Sequence, residues 1–333
     1  MDLTMIRENP TSQMDIRFTT YLSSRKAVTD AHIINGVPDY AYASDRIMMQ
    51  KINAIPGAFQ FFKALLSTIV PRMKQALYQN SLKVGPTQFA DVYEQTVECA
   101  RILGVGIPTT FIENSPIINA YALAAEDDAP VIILTSSFLE RFTPGERKAV
   151  IGHELGHIQN NHGIYSTAVY LLLNVAGEIG MSIPVPGLDL VLALASWPLH
   201  YALMAWSRAA EITSDRAGVI CADDPNDMFT LNAKFMYGAA FNREDVNIDA
   251  ILKQYERMRS NPVRLIELDR THPIGMRRIL AAKTFMESEV LHSWRPEWRE
   301  PGMQLLSKQE LDARCEKFLS VMKKGASSGG GAQ

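Results

Sequence analysis

Two histidines and a glutamate, His153, Glu154 and His157, stand in the pattern H-E-x-x-H within residues 150–158, an apolar stretch of helical character. On an α-helix, residues four apart share a face one turn above each other. Two imidazoles so placed can hold one metal ion between them, with the intervening glutamate beside the ion's open position and able to act as a general base. The alternative is a chance match, which composition alone would produce in roughly one chain of this size in a hundred. The surrounding chain therefore has to supply a third ligand, a groove and supporting groups.

The elements that must carry these residues are legible nearby. Thr143-Pro144-Gly145-Glu146 reads as a helix start: threonine caps, proline suits the first helical position, and Glu146 completes a capping box. The helix should run to about Asn160, with Asn161-His162-Gly163 as its end and Gly163 as the left-handed residue after the cap. His162, five residues past His157, lies off the ligand face and reads as a helix-end residue rather than a ligand.

A second cluster follows at residues 207–217, where Glu211 and Asp215 again lie four apart on one helical face. Two histidines plus a glutamate make a standard catalytic zinc set, which Glu211 would close. Asp215, one turn on, could then accept a hydrogen bond from the far nitrogen of a ligand histidine and fix its tautomer. The other reading is a solvated face on which Arg208, Glu211, Asp215 and Arg216 pair among themselves.

Between the two clusters, residues 164–206 carry only two charges, Glu178 and Asp189. The two apolar arms, 164–176 and 190–206, each fall short of the ~20 apolar residues of a membrane span. A buried or groove-covering helical hairpin is expected, which leaves peripheral membrane contact open. Ahead of the H-E-x-x-H helix, runs at 109–112, 117–123 and 131–135 are rich in β-branched or aromatic residues and separated by turn signals. Three strands there make a small sheet, whose edge could hold an extended peptide or merely support the helix. Further upstream, residues 41–81 read as two helical pieces broken at Ile55-Pro56-Gly57, and another helix spans about 88–103. Downstream, Phe229, Leu231, Phe235 and Met236 are expected in the core, while Arg277 and Arg278 face solvent or find carboxylate partners.

Composition excludes several classes. A net charge of −3 with acids and bases interspersed argues against nucleic acid as a partner. Three dispersed cysteines, Cys99, Cys221 and Cys315, imply no disulfide framework, and residues 1–10 do not read as a signal peptide. Cytoplasmic residence is the expectation.

Taken together, Ile117-Ile118-Asn119-Ala120-Tyr121-Ala122-Leu123, Ile133-Leu134-Thr135-Ser136-Ser137, the H-E-L-G-H helix, Ser207-Arg208 ahead of Glu211 and Asp215, and Thr271-His272-Pro273 resemble the M48 family of zinc metallopeptidases. That gluzincin group contains the CAAX prenyl protease and the heat-shock protease of bacterial membranes. The resemblance covers roughly residues 40–285. It implies an α+β, mostly helical, zincin-like fold with a small sheet beside the H-E-x-x-H helix. It further implies one zinc ion held by His153, His157 and Glu211, with Glu154 as base. The substrate strand would lie antiparallel to the edge near Asn119, Ala120 and Tyr121, and His272 would stand near the developing oxyanion; the other reading of His272 is a loop residue ahead of a helix that starts at Pro273. Membrane members of the family carry long transmembrane pairs, whereas the hairpin here is short and interrupted, so a soluble or peripherally attached member is expected.

The expected organisation is an arm (1–40), a metallopeptidase domain (41–290) that includes the hairpin, a connector and helix (291–324), and a flexible tail (325–333). The expected function is zinc-dependent hydrolysis of peptide bonds in protein or peptide substrates, with Glu154 activating the attacking water. The rival is a zinc-stabilised protein that holds peptides without cutting them. A self-inhibited enzyme, with the arm or hairpin over its groove, is a variant of the first reading.

Overall fold

The computed structural model describes residues 19, 21, 30–125, 128–174, 197–238, 243–258 and 275–319. The candidate His272, the tip of the apolar hairpin and the tail lie outside them. In chain order, two-residue strands β1 (Ile33–Ile34) and β2 (Val37–Pro38) lead into helices α1 (Ala43–Asn53) and α2 (Ala58–Asn80). Gly57, at φ +81°, makes the left-handed turn between those helices where the Ile55-Pro56-Gly57 break was expected. Next come β3 (Ser81–Lys83), α3 (Ala90–Leu103), β4 (Thr109–Glu113), β5 (Ala120–Ala125), β6 (Asp128–Thr135), α4 (Ser136–Arg141) and α5 (Pro144–Gln159). The remainder is helical: α6 (Gly163–Asn174), α7 (Trp197–Cys221), α8 (Asn226–Tyr237), α9 (Ile248–Met258), α10 (Gly275–Met286), α11 (Glu289–Trp294) and α12 (Lys308–Leu319).

The four longer strands form one mixed sheet in the order β3-β4-β6-β5. β4 and β6 run parallel, while β3 and β5 lie antiparallel at the two edges. Both faces are covered, which explains the unbroken apolar run Val131-Ile132-Ile133-Leu134 in β6. Ile132 and Leu134 face the main core with Ile112, Leu155 and Ile212. Val131 and Ile133 point the other way, with Phe111 and Leu123, against Leu77 of α2. The fold is thus mostly helical with a small sheet beside the H-E-x-x-H helix, as the sequence implies. Among the described residues no helix is long and apolar enough to cross a membrane.

Helix α5 starts as its residues dictate. The Thr143 side chain accepts from the Glu146 backbone N–H, and the Glu146 carboxylate accepts from the Thr143 N–H. Glu146 also pairs with Lys234 at 2.7 Å in the interior. At the other end the expectation fails. Asn161 (φ +57°), not Gly163, adopts the left-handed conformation, which asparagine tolerates better than most side chains. Gly163 opens α6 instead and lies against β5, where a Cβ would stand 2.3 Å from the Ala124 Cβ. A second correction concerns Phe235: it is exposed, with one flank resting on the Phe138 and Phe142 rings, while Phe229 and Leu231 are buried as expected.

Candidate functional site

Helices α5 and α7 pack side by side through residues almost devoid of side chain. A Cβ on Gly152 would stand 2.5 Å from the Cys221 Cβ, and one on Gly156 2.7 Å from the Ala217 Cβ and 3.0 Å from the Ser214 Cα. A Cβ on Gly218, on the other helix, would meet the Ala149 carbonyl oxygen at 2.8 Å. This close approach brings Glu211 to the two histidines of α5.

The His153 and His157 Nε2 atoms lie 3.2 Å apart. The Glu211 carboxylate faces both, at 3.7 Å from His153 Nε2 and 3.4 Å from His157 Nε2. One candidate ligand atom from each of the three residues lies within 4.8 Å of the others, and all three residues are buried. Glu154, also buried, follows His153 on α5.

The chemistry of this donor set fits a metal ion. His153 Nδ1 bonds the Asp215 carboxylate at 3.0 Å, so that nitrogen carries the proton and Nε2 presents its lone pair. His157 Nδ1 is likewise engaged, at 3.0 Å from His162 Nδ1. Two imidazole lone pairs and a carboxylate converging on one point repel each other unless a cation lies among them. Burial pushes the His157 imidazole below its ordinary pKa, despite the neighbouring Glu211 carboxylate, which favours the neutral form that ligates metal.

Arg278, on α10, completes the electrostatics. Its Nε and Nη2 donate to Asp215 at 2.8 and 2.5 Å, and its Nη1 lies 3.1 Å from Glu211 Oε2. Burial by itself would raise the Asp215 carboxyl; the Arg278 charge, its hydrogen bonds and His153 hold it below the ordinary carboxylate range. Burial would equally weaken the guanidinium's hold on its proton, but Asp215 and Glu211 more than compensate and raise its pKa. Arg278 therefore takes the carboxylate-partner branch of the expectation. Arg277 instead donates to the Leu319 carbonyl and lies over the Tyr255 ring. Two members of the charged face imagined for 207–217 find partners elsewhere: Arg216 is buried, bonding the Tyr40 carbonyl and Asp312, and Asp215 takes Arg278.

Ala120 and Tyr121 open β5, the sheet edge nearer α5, and Asn119 immediately precedes it. The Thr135 N–H donates to the Asn119 carbonyl at 3.1 Å, so residue 119 faces β6. Antiparallel alternation then turns the backbone N–H and C=O of Ala120 and Ala122 away from β6, while the next outward N–H, that of Ala124, donates to the Thr167 hydroxyl of α6. Tyr121 pairs with Ile133, and its hydroxyl donates to Glu113 at 3.2 Å.

Sequence reasoning missed the surroundings of His162. Five residues on along a continuous helix would point it away from His157, but α5 stops at Gln159 and left-handed Asn161 turns the chain back beneath it. The tandem asparagines Asn160-Asn161 were the available signal for that turn.

The profile of peptidase family M48 matches residues 86–285. The chain belongs to that family. It is similar to the plastoglobule-localized metallopeptidase 48 of Arabidopsis thaliana chloroplasts, 32% identical over 231 residues, which make up 68% of this chain and 64% of the relative. It is also similar to Protease HtpX of Xylella fastidiosa (28% identical; 37% of this chain, 50% of the relative). A Protease HtpX homolog of Moorella thermoacetica is 25% identical (62% of this chain, 76% of the relative). The chain thus spans just under two thirds of the plant relative and half of the Xylella one. No solved structure matches. The family implies a metal ion and a protease, and His153, His157 and Glu211 form the candidate site for that ion.

Proposed function

We propose that the protein is a zinc-dependent endopeptidase, with His153, His157 and Glu211 holding one zinc ion and Glu154 acting as general base. The observation that carries this reading is the convergence of two histidine Nε2 atoms and one carboxylate beside a buried glutamate on the same helix. Zinc when bound would supply Lewis acidity, acidifying the attacking water and stabilising charge on the carbonyl oxygen. Three protein ligands leave room for that chemistry, unlike a structural site closed by four.

The chain's own groups account for the rest. Glu154 would take the proton of the attacking water and deliver it to the leaving amine. Asp215 and Arg278 would hold His153 and Glu211 in register, so that little reorganisation is needed as charge develops. An extended protein or peptide segment would add to the outer edge of β5 at its N-terminal half, using the outward backbone groups of Ala120 and Ala122, with Asn119 and Tyr121 fixing that strand to β6. His272 would assist the oxyanion, a role that rests on its match to the family motif alone. The test is zinc content together with cleavage of an unstructured protein. The wild type should bind one zinc and cut, whereas zinc binding with stoichiometric peptide capture and no turnover would favour the holding rival.

A further inference from the structure

Asp45, on α1, is almost wholly buried, and three donors converge on its carboxylate. Trp206 Nε1 donates to Oδ1 at 3.0 Å, the Thr213 hydroxyl donates to Oδ2 at 2.7 Å, and His162 Nε2 lies 2.9 Å from Oδ2. The Thr213 oxygen meanwhile accepts from the Tyr42 N–H at 3.1 Å, so its hydroxyl proton is directed at Asp45. Indole can only donate. Asp45 is therefore an acceptor on every side, and His162 Nε2 must carry a proton toward it.

That proton has a consequence one residue further on. A neutral His162 with its hydrogen on Nε2 offers only a lone pair at Nδ1, which faces His157 Nδ1 at 3.0 Å. His157 must then carry its own hydrogen on Nδ1, and its Nε2 lone pair is aimed at Glu211 and His153. His153 reaches the same state more directly, through Asp215. The two ligand histidines thus have different supports: a carboxylate contact for one, and a carboxylate acting through a second imidazole for the other. The His162 ring is fixed edge-on against both His157 and Trp206, at centroid distances of 5.1 and 5.7 Å.

We propose that Asp45 and His162 are positioning residues for the metal centre, a two-step relay that sets the tautomer and orientation of His157. Asp45 lies outside the 86–285 segment that the family profile matches, so α1 is part of the working metal centre rather than an appendage to it. The proposal rests on the reading that His157 is a zinc ligand.

The test is zinc affinity of the full chain, measured by competition with a chromophoric chelator. Asp45→Ala removes the acceptor for the His162 Nε2 proton; affinity should fall roughly 10–100-fold, the usual effect of losing an outer hydrogen-bond partner. His162→Leu should fall comparably. His162→Asn, whose side-chain oxygen can stand in for Nδ1, should recover much of the loss. Lys234→Met breaks the buried pair with Glu146 at the far end of α5 and should lower thermal stability without changing zinc affinity.

Should the relay variants fail to fold, ¹⁵N NMR of the zinc-loaded wild type decides the matter. The proton of His162 should sit on Nε2 and that of His157 on Nδ1. A proton on His162 Nδ1, or an Asp45→Ala protein with wild-type affinity, would overturn the relay while leaving the zinc reading intact. A wild type that binds no zinc would overturn both.

Discussion

Replacing Gly156 with alanine tests how the metal site is assembled from two helices. The added methyl would lie 2.7 Å from the Ala217 Cβ and 3.0 Å from the Ser214 Cα, against roughly 3.5–4.0 Å for relaxed carbon contacts. Both obstacles belong to a buried helix, not to the end of a flexible side chain, so α7 must shift by something on the order of 0.5–1 Å. Alanine stabilises a helix by about 1 kcal/mol over glycine, while overpacking a core costs about 1–3 kcal/mol. Net destabilisation should therefore be modest, about 0–2 kcal/mol. The site is less forgiving, because Glu211 sits on the helix that moves and such constellations tolerate about 0.5 Å. Zinc affinity should drop tenfold or more, on the order of 1.4 kcal/mol, while circular dichroism stays native. Gly145→Ala is the control: the nearest atoms its methyl would meet belong to the Asp227 side chain, and affinity should hold. A Gly156→Ala protein with native zinc affinity would refute the claim that this close packing places Glu211.

Arg278→Met strands the buried Asp215 and Glu211 carboxylates without their cation and should cost about 3–5 kcal/mol in chemical denaturation; a loss below about 1 kcal/mol would show the guanidinium to be dispensable. Ala122→Pro removes an N–H that faces away from β6 but no ladder bond. It should raise KM for an unstructured substrate severalfold with zinc affinity unchanged, and an unaltered KM would argue against strand addition there. In the metal-free protein, the lowered pKa of His157 means that the unfolded chain binds more protons than the folded one just below pH 6.5. Stability should consequently fall as pH drops through that value; a flat Tm between pH 7.5 and 5.5 in the presence of a chelator would contradict it.

The three candidate ligands were legible because the helical period is local: His153 with His157, and Glu211 with Asp215, each need only one turn of helix. The cap at Thr143 and Glu146 and the buried run of β6 were legible for the same reason. What joins the two ligand helices was not. Gly152 and Gly156 read as ordinary residues of the motif until Ala217 and Cys221 are seen against them. Arg278 lies 63 residues from Asp215 in the chain, and Asp45 lies 117 residues from His162. No periodicity spans such separations. His162 illustrates the limit most plainly: its position off the ligand face was read correctly, but its use depends on a single left-handed residue, Asn161, that reverses the chain.

The account stands on Glu154 doing chemistry beside a metal held by its neighbours. The most direct measurement is Glu154→Gln, with bound zinc and cleavage of an unstructured protein determined on the same sample and compared with wild type. Wild type should hold one zinc and cut; the variant should hold the same zinc and lose cleavage by several orders of magnitude. A variant that still cuts at the wild-type rate with zinc in place would contradict the central claim.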